Sequence, residues 1–194
     1  MRLPGGHAAR AAGVGCAFVL AACAGLAPQN PPPAILVTPQ TAFEATGRIS
    51  VRHGADALTA NFRWHHDGDR DELDLASPLG QTIARLSGGR NGVALRTADG
   101  RVATGDDWSG LMARSLDWSL PVDGLAFWIQ GAPRTDVPFD AEPAGDGRLR
   151  LLRQNGWTIV YQAFVSDAGG AVRPARMTLS YPDIELRLVV DSWQ

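Results

Sequence analysis

At 194 residues, with 45% hydrophobic and 20% charged positions, the chain has the size and composition of one globular domain rather than of a disordered or fibrous protein. Eighteen basic against twenty acidic residues leave a formal charge of −2, so no basic field exists to attract nucleic acid or an anionic membrane. All eighteen basic residues are arginine, which excludes a GxxxxGK[ST] phosphate loop and a lysine Schiff base.

Met1 to Ala22 reads as a secretory signal: Arg2 and Arg10 give a positive start, and Ala11 to Ala22 a short apolar stretch broken by Gly13 and Gly15. A bilayer-spanning helix needs about 20 consecutive apolar residues, and no stretch here reaches that length. The segment closes on Leu20-Ala21-Ala22-Cys23, the pattern of a bacterial lipobox, in which two small residues fit the peptidase and the cysteine thiolate takes a diacylglyceryl group. Cleavage before Cys23 also removes Cys16, leaving one cysteine and no internal disulfide. The acyl chains of a mature lipoprotein anchor firmly, where a single chain holds only marginally. Ala24 stands where many inner-membrane lipoproteins carry aspartate, which by analogy favours the outer membrane, with the domain facing the periplasm.

Residues 23–42 then read as the acylated cysteine and a tether. Five prolines between Pro28 and Pro39 favour extended polyproline geometry, a semi-rigid spacer that holds the domain off the bilayer. Ile35, Leu36 and Val37 interrupt it and are free to dock on the domain or to leave it. The domain itself is expected from Phe43 to the end of the chain, residues 43–194.

Beyond Phe43 the dominant period is two, the mark of half-buried antiparallel strands. Strands are expected over 47–52, 58–64, 72–77, 157–165 and 184–190, with shorter ones over 82–87, 93–96, 102–105, 148–153 and 176–181. Asp67-Gly68, Gly88-Gly89, Asn91-Gly92, Asp99-Gly100, Asp146-Gly147, Asn155-Gly156 and Gly169-Gly170 supply tight-turn pairs between them. The middle differs. Asp106-Asp107 followed by Trp108, Leu111 and Met112 predicts a helix with an acidic start, and Val122 to Gln130, between Pro121 and Gly131, a second. Two helices laid on the concave face of a curled sheet enclose an apolar interior, a candidate lipid site.

Catalytic chemistry finds no foothold. His65 and His66 are adjacent in a strand end, point to opposite faces and cannot easily share a metal. Asp67, Asp69 and Asp71 resemble the opening of a calcium loop, but Glu72 stands where glycine is needed and Pro78 where the bidentate glutamate belongs, so the segment reads as a solvated hairpin turn. No GxSxG elbow is present, and the remaining cysteine is expected to be acylated. The chain reads as a binding protein, not an enzyme, with no cofactor and no metal.

Seven strings occur in order: Gly47-Arg48-Ile49-Ser50-Val51, Phe62-Arg63-Trp64, Ser77-Pro78-Leu79-Gly80-Gln81-Thr82, Leu120-Pro121-Val122, Trp128-Ile129-Gln130-Gly131-Ala132-Pro133, Gln154-Asn155-Gly156-Trp157 and Ser192-Trp193. With the lipobox and the tether, they resemble the LolB family of outer-membrane receptors, which accept lipoproteins from the periplasmic carrier LolA. The resemblance spans Phe43 to Trp193.

It implies a mainly β fold with a helical insert: an unclosed antiparallel β-barrel of about ten or eleven strands, covered by short helices around a hydrophobic cavity that receives acyl chains. Phe62, Trp64, Leu73, Leu75, Trp128, Ile129 and Tyr161 are the expected cavity wall. The family's release loop carries a proline-leucine-glycine turn, here Pro78, Leu79 and Gly80, whose apolar side chain acts when cargo enters the membrane. A leucine at such a turn tip is hard to justify by folding alone, though it can also fold back on the core. The implied partners are a LolA-type carrier, acylated lipoprotein cargo and the outer membrane itself, through the lipid on Cys23; the protein is expected to be a monomer with no nucleic-acid partner. In the family a longer helix-forming segment often precedes the first strand, while here only Gln40 to Thr46 remain for it. The alternative function is a scaffolding outer-membrane lipoprotein that binds an envelope partner through its sheet surface.

Overall fold

The period-two pattern from Ala42 folds as β1 (Ala42–His53), which turns Phe43, Ala45, Ile49 and Val51 into the interior and Arg48 and Arg52 to solvent. The computed structural model describes residues 33–115 and 121–194. The signal sequence, Cys23, the tether up to Pro32, and Leu120 of the fourth family-like string lie outside the described residues. Ten more strands follow: β2 (Asp56–Asp67), β3 (Arg70–Ala76), β4 (Thr82–Gly89), β5 (Gly92–Thr97), β6 (Val102–Gly105), β7 (Phe139–Pro143), β8 (Leu149–Gln154), β9 (Trp157–Ser166), β10 (Val172–Tyr181) and β11 (Ile184–Trp193). Two helices, α1 (Trp108–Ser115) and α2 (Val122–Trp128), lie between β6 and β7.

All eleven strands form one antiparallel sheet in the order β6-β5-β4-β3-β2-β1-β11-β10-β9-β8-β7. Two meanders of sequential hairpins are joined where the first strand meets the last, with Ala45 opposite Trp193 and His53 opposite Ile184. The sheet does not close: β6 and β7 are its edges, and the chain between those edges carries both helices. The chain thus adopts the mainly β class with a helical insert on an unclosed antiparallel sheet.

Register shifts at Thr46/Gly47, Leu75/Ala76, Glu142/Pro143 and between Pro174 and Met177 are bulges, which bend and twist the strands that carry them. At the first, a Cβ on Gly47 would lie 2.1 Å from the Val189 carbonyl oxygen and 2.9 Å from the Phe62 ring. Only glycine lets the three central strands approach this closely.

Three local expectations are corrected. Gly88 and Gly89 are not a turn: they end β4, paired with Val93 and Gly92, and the reversal falls on Arg90-Asn91. The cause is packing, since a Cβ on Gly88 would meet Val93 Cγ1 at 2.6 Å. The second helix stops at Trp128 rather than Gln130, because Gly131, at φ +79°, turns the chain away. The strand β7 was not expected, since its sequence holds two carboxylates and a proline. At an edge that composition is tolerated, and Arg153 of β8 bonds Asp140 at 2.8 Å and Glu142 at 2.7 Å. The first helix begins as its acidic residues predict, with Asp107 Oδ1 accepting the Gly110 N–H at 2.6 Å. Among the described residues no helix precedes β1, and no helix is long and apolar enough to cross a membrane.

Candidate lipid site

The turn between β3 and β4 is organised by Ser77. Its carbonyl accepts the Gly80 N–H at 2.8 Å, its N–H donates to the Gln81 carbonyl at 2.7 Å, and its hydroxyl accepts the Gln81 N–H at 3.2 Å. Pro78 pre-sets the first corner and Gly80 takes φ +84°, the geometry of a three-residue hairpin loop with a left-handed last position. Leu79 is thereby held at the tip and is 91% exposed, against 64% for Ile35, the next most exposed large apolar residue described. It does not fold back. From Ser77 to Ala84 the sequence carries no charge.

Of the expected wall residues, Phe62, Trp64, Leu73, Trp128, Ile129 and Tyr161 fall in one buried apolar cluster, and Leu75 is partly buried against it. β2 and β3 supply four of these through their inward registers, Phe62 opposite Leu75 and Trp64 opposite Leu73. Trp64 and Trp128 are 1% exposed and Ile129 is 0% exposed. A side chain beside a water-sized void keeps accessible surface, so these groups close on one another and on neighbours such as Leu152, Met177 and Leu179. Among the described residues, the interior around Trp64, Trp128 and Ile129 is apolar and closely packed.

Trp128, at the end of α2, is where the helices meet the strands. Its indole N–H donates to Gln154 Oε1 at 2.8 Å, its carbonyl accepts the Tyr161 hydroxyl at 2.9 Å, and its ring lies 6.2 Å from that of Trp157. One turn earlier Gly124 leaves room for that ring, since a Cβ there would come within 2.5 Å of it. Burial holds the Tyr161 hydroxyl protonated, its pKa pushed far above the ordinary tyrosine range. Gln154 also bonds Arg134 through both its N–H, at 3.0 Å, and its carbonyl, at 2.8 Å. Few polar contacts therefore hold α2 down over a largely apolar surface.

A crevice of about 280 Å³ opens where both helices meet the sheet, with Val93, Trp108, Ala126 and Phe127 on its apolar side and Asp71, Asp107 and Asp123 on its acidic side. It is smaller than the roughly 300–1,000 Å³ typical of sites that enclose a small ligand. Burial raises the Asp123 carboxyl above the usual carboxylate range; Arg134 opposes this, and the carboxylates of Asp107 and Asp71 reinforce it. Asp71 departs from the expected solvated turn. It is buried, accepts the Trp64 indole N–H at 2.8 Å and lies 2.8 Å from His66 Nδ1. The rest of the turn is solvated as expected, with Asp67, Gly68, Asp69 and Arg70 all exposed.

Three buried polar residues of this region were given no buried role from the sequence: Asp71, read there as part of a solvated turn, and Gln130 and Gln154, read only within the family-like strings. Two carried a usable signal. Asp71 is in register with Leu73 and Gln154 with Leu152, so each is a polar residue on an inward-facing position, which demands a buried partner. Among the described residues no buried side-chain nitrogen or oxygen lacks one.

A family model described as Outer membrane lipoprotein LolB matches residues 41–193. The Outer-membrane lipoprotein LolB of Thiobacillus denitrificans is 37% identical over 179 residues, covering 92% of this chain and 93% of that protein. That of Nitrosomonas europaea is 34% identical over 153 residues, covering 78% of this chain and 72% of its own length. Among solved structures, a LolA superfamily protein from Nitrosomonas europaea superposes with a TM-score of 0.53 at 10% identity, over 82% of this chain and 88% of that one. A DUF1329 family protein from Desulfovibrio piger gives 0.51 at 9% identity, over 79% and 85%. At such identities these two likenesses speak for the fold alone. The sequence matches go further, and by them the chain belongs to the LolB family of outer-membrane lipoproteins.

Proposed function

We propose that this protein is a receptor at the outer membrane that takes acylated lipoproteins from a LolA-type periplasmic carrier, shelters their acyl chains beneath α2 and releases them into the bilayer. Membership of the LolB family, shown by the family model and by the relatives' name, supports the trafficking role. The observation that carries the mechanism is Leu79, 91% exposed on a turn whose hydrogen bonds hold it out. Three acyl chains of about 15 methylenes each, at ~0.8 kcal/mol per methylene, would cost on the order of 36 kcal/mol to expose to water, so cargo must pass between covered sites. Direction then comes from rising affinity: the receptor holds lipid better than the carrier, and the membrane better than the receptor.

Because the interior around Trp128 is closely packed when α2 is down, acyl chains enter only as the helix lifts and Trp128 leaves its place between Gln154 and Tyr161. Cys23 is acylated in this reading, the domain faces the periplasm, and the wall is formed by Phe62, Trp64, Leu73, Leu75, Trp128, Ile129 and Tyr161. The test is transfer. The mature chain carrying Cys23→Ala is mixed at equimolar ratio with a carrier loaded with a fluorescent lipoprotein, and label is expected on the receptor; label remaining wholly on the carrier would refute the reading. A scaffold whose core stays filled would accept none.

A further inference from the structure

Gln130 is 2% exposed and its amide is fully engaged. Its Oε1 accepts the backbone N–H of Gln40 at 2.8 Å, while its Nε2 donates to the Gln40 carbonyl at 3.2 Å and to the Ala126 carbonyl at 2.9 Å. The first two bonds imitate a pair of strand residues, and the third satisfies a carbonyl in the last turn of α2. One side chain thus ties the segment that enters β1 to the helix that covers the interior. The same segment is held at two further points: upstream, the Ile35 N–H donates to the Gly147 carbonyl at 2.8 Å and Ile35 bridges Arg148 in parallel, and next to Gln40 the Thr41 carbonyl accepts the Gly68 N–H at 2.6 Å. Between these fixings it gains little from burial: Ile35, Leu36 and Val37 are 64%, 43% and 41% exposed. A segment held by a few hydrogen bonds and little apolar contact sits at the low end of local stability.

We infer that Gln130 is a latch: it joins the arm of residues 33–41 to α2, so that freeing the arm and lifting the helix are one equilibrium. This rests on the acyl-chain reading above. Linkage makes the coupling reciprocal. A ligand that needs α2 raised must loosen the arm, and a change that detaches the arm must raise affinity for that ligand by the same factor.

The bonds to Gln40 use only its backbone, which separates the variants cleanly. In the mature chain carrying Cys23→Ala, binding of a sixteen-carbon fatty acid with a terminal fluorophore is titrated for the parent, Gln40→Ala, Gln40→Pro and Gln130→Leu. Gln40→Ala is expected to match the parent; Gln40→Pro, which lacks the donated N–H, and Gln130→Leu are each expected to bind about tenfold tighter, and the double variant no tighter than either. Saturating probe should also speed hydrogen exchange at residues 35–41 of the parent. If Gln130→Leu does not fold, Gln40→Pro and the exchange measurement decide alone. Equal affinities throughout, with only a lowered melting temperature, would mean that the amide is a structural tie and would overturn the latch while leaving acyl binding intact. A parent that binds no fatty acid would sink both.

Discussion

The indole N–H of Trp128 and the side-chain carbonyl of Gln154 meet at 2.8 Å inside the apolar core, so the covering helix is joined to β8 by a hydrogen bond that water cannot replace. Gln154→Leu would strand that N–H together with the Arg134 N–H and carbonyl, of which the buried indole cannot turn to solvent. Urea denaturation is expected to show a loss of about 2–3 kcal/mol. Trp128→Phe leaves Gln154 its bonds to Arg134 and should cost less.

Gly47 admits no side chain. Gly47→Ala would drive a methyl group into the Val189 carbonyl and the Phe62 ring, at the seam between the first and last strands. Separation of these strands is expected to cost about 3 kcal/mol, the upper end of the usual overpacking range, and to be visible as a lowered melting temperature.

Leu79 separates stability from delivery. Being 91% exposed, it can become glutamate with a change in unfolding free energy within about 0.5 kcal/mol. Leu79→Glu should accept cargo from the carrier as the parent does and release it poorly into liposomes. Normal release would remove the loop from the mechanism.

Two carboxylates push acid stability in opposite directions. Burial raises Asp123 above its unfolded value, so the folded state holds that proton more tightly; the penalty is present above its folded pKa and disappears as pH falls through it. Asp167 is lowered, chiefly by its hydrogen bond from Arg173, so its stabilisation is present above the unfolded pKa and is lost as pH falls through the folded one. Thermal melts against pH should show Asp123→Asn more stable than the parent at neutral pH and converging with it in acid. Asp167→Asn should be less stable at neutral pH and also converge in acid.

Where one face of a strand is buried, alternation alone located it, as in β2, where Ala60, Phe62 and Trp64 point inward and Arg63 outward. It failed at β7, whose pairing comes from its edge position and from Arg153, a residue outside the segment. The Gly88-Gly89 pair misled because two glycines serve close strand approach as well as turns. The inward-facing apolar positions of Phe62, Trp64, Leu73 and Tyr161 were legible, and Pro78 and Gly80 marked the turn that carries Leu79 while leaving its exposure open. The polar ties were not legible: Gln130 meets Gln40 across 90 residues of sequence and Gln154 meets Trp128 across 26, distances over which local patterns carry no information.

The pairing of β1 with β11 puts the two ends of the domain side by side at the centre of the sheet. Each meander can form from neighbouring hairpins, but their union waits for β11 to emerge, which makes assembly of the interior a late event set by long-range loop closure. A chain cut short before Ile184 would therefore leave two unjoined half-sheets, each with an apolar flank open to solvent.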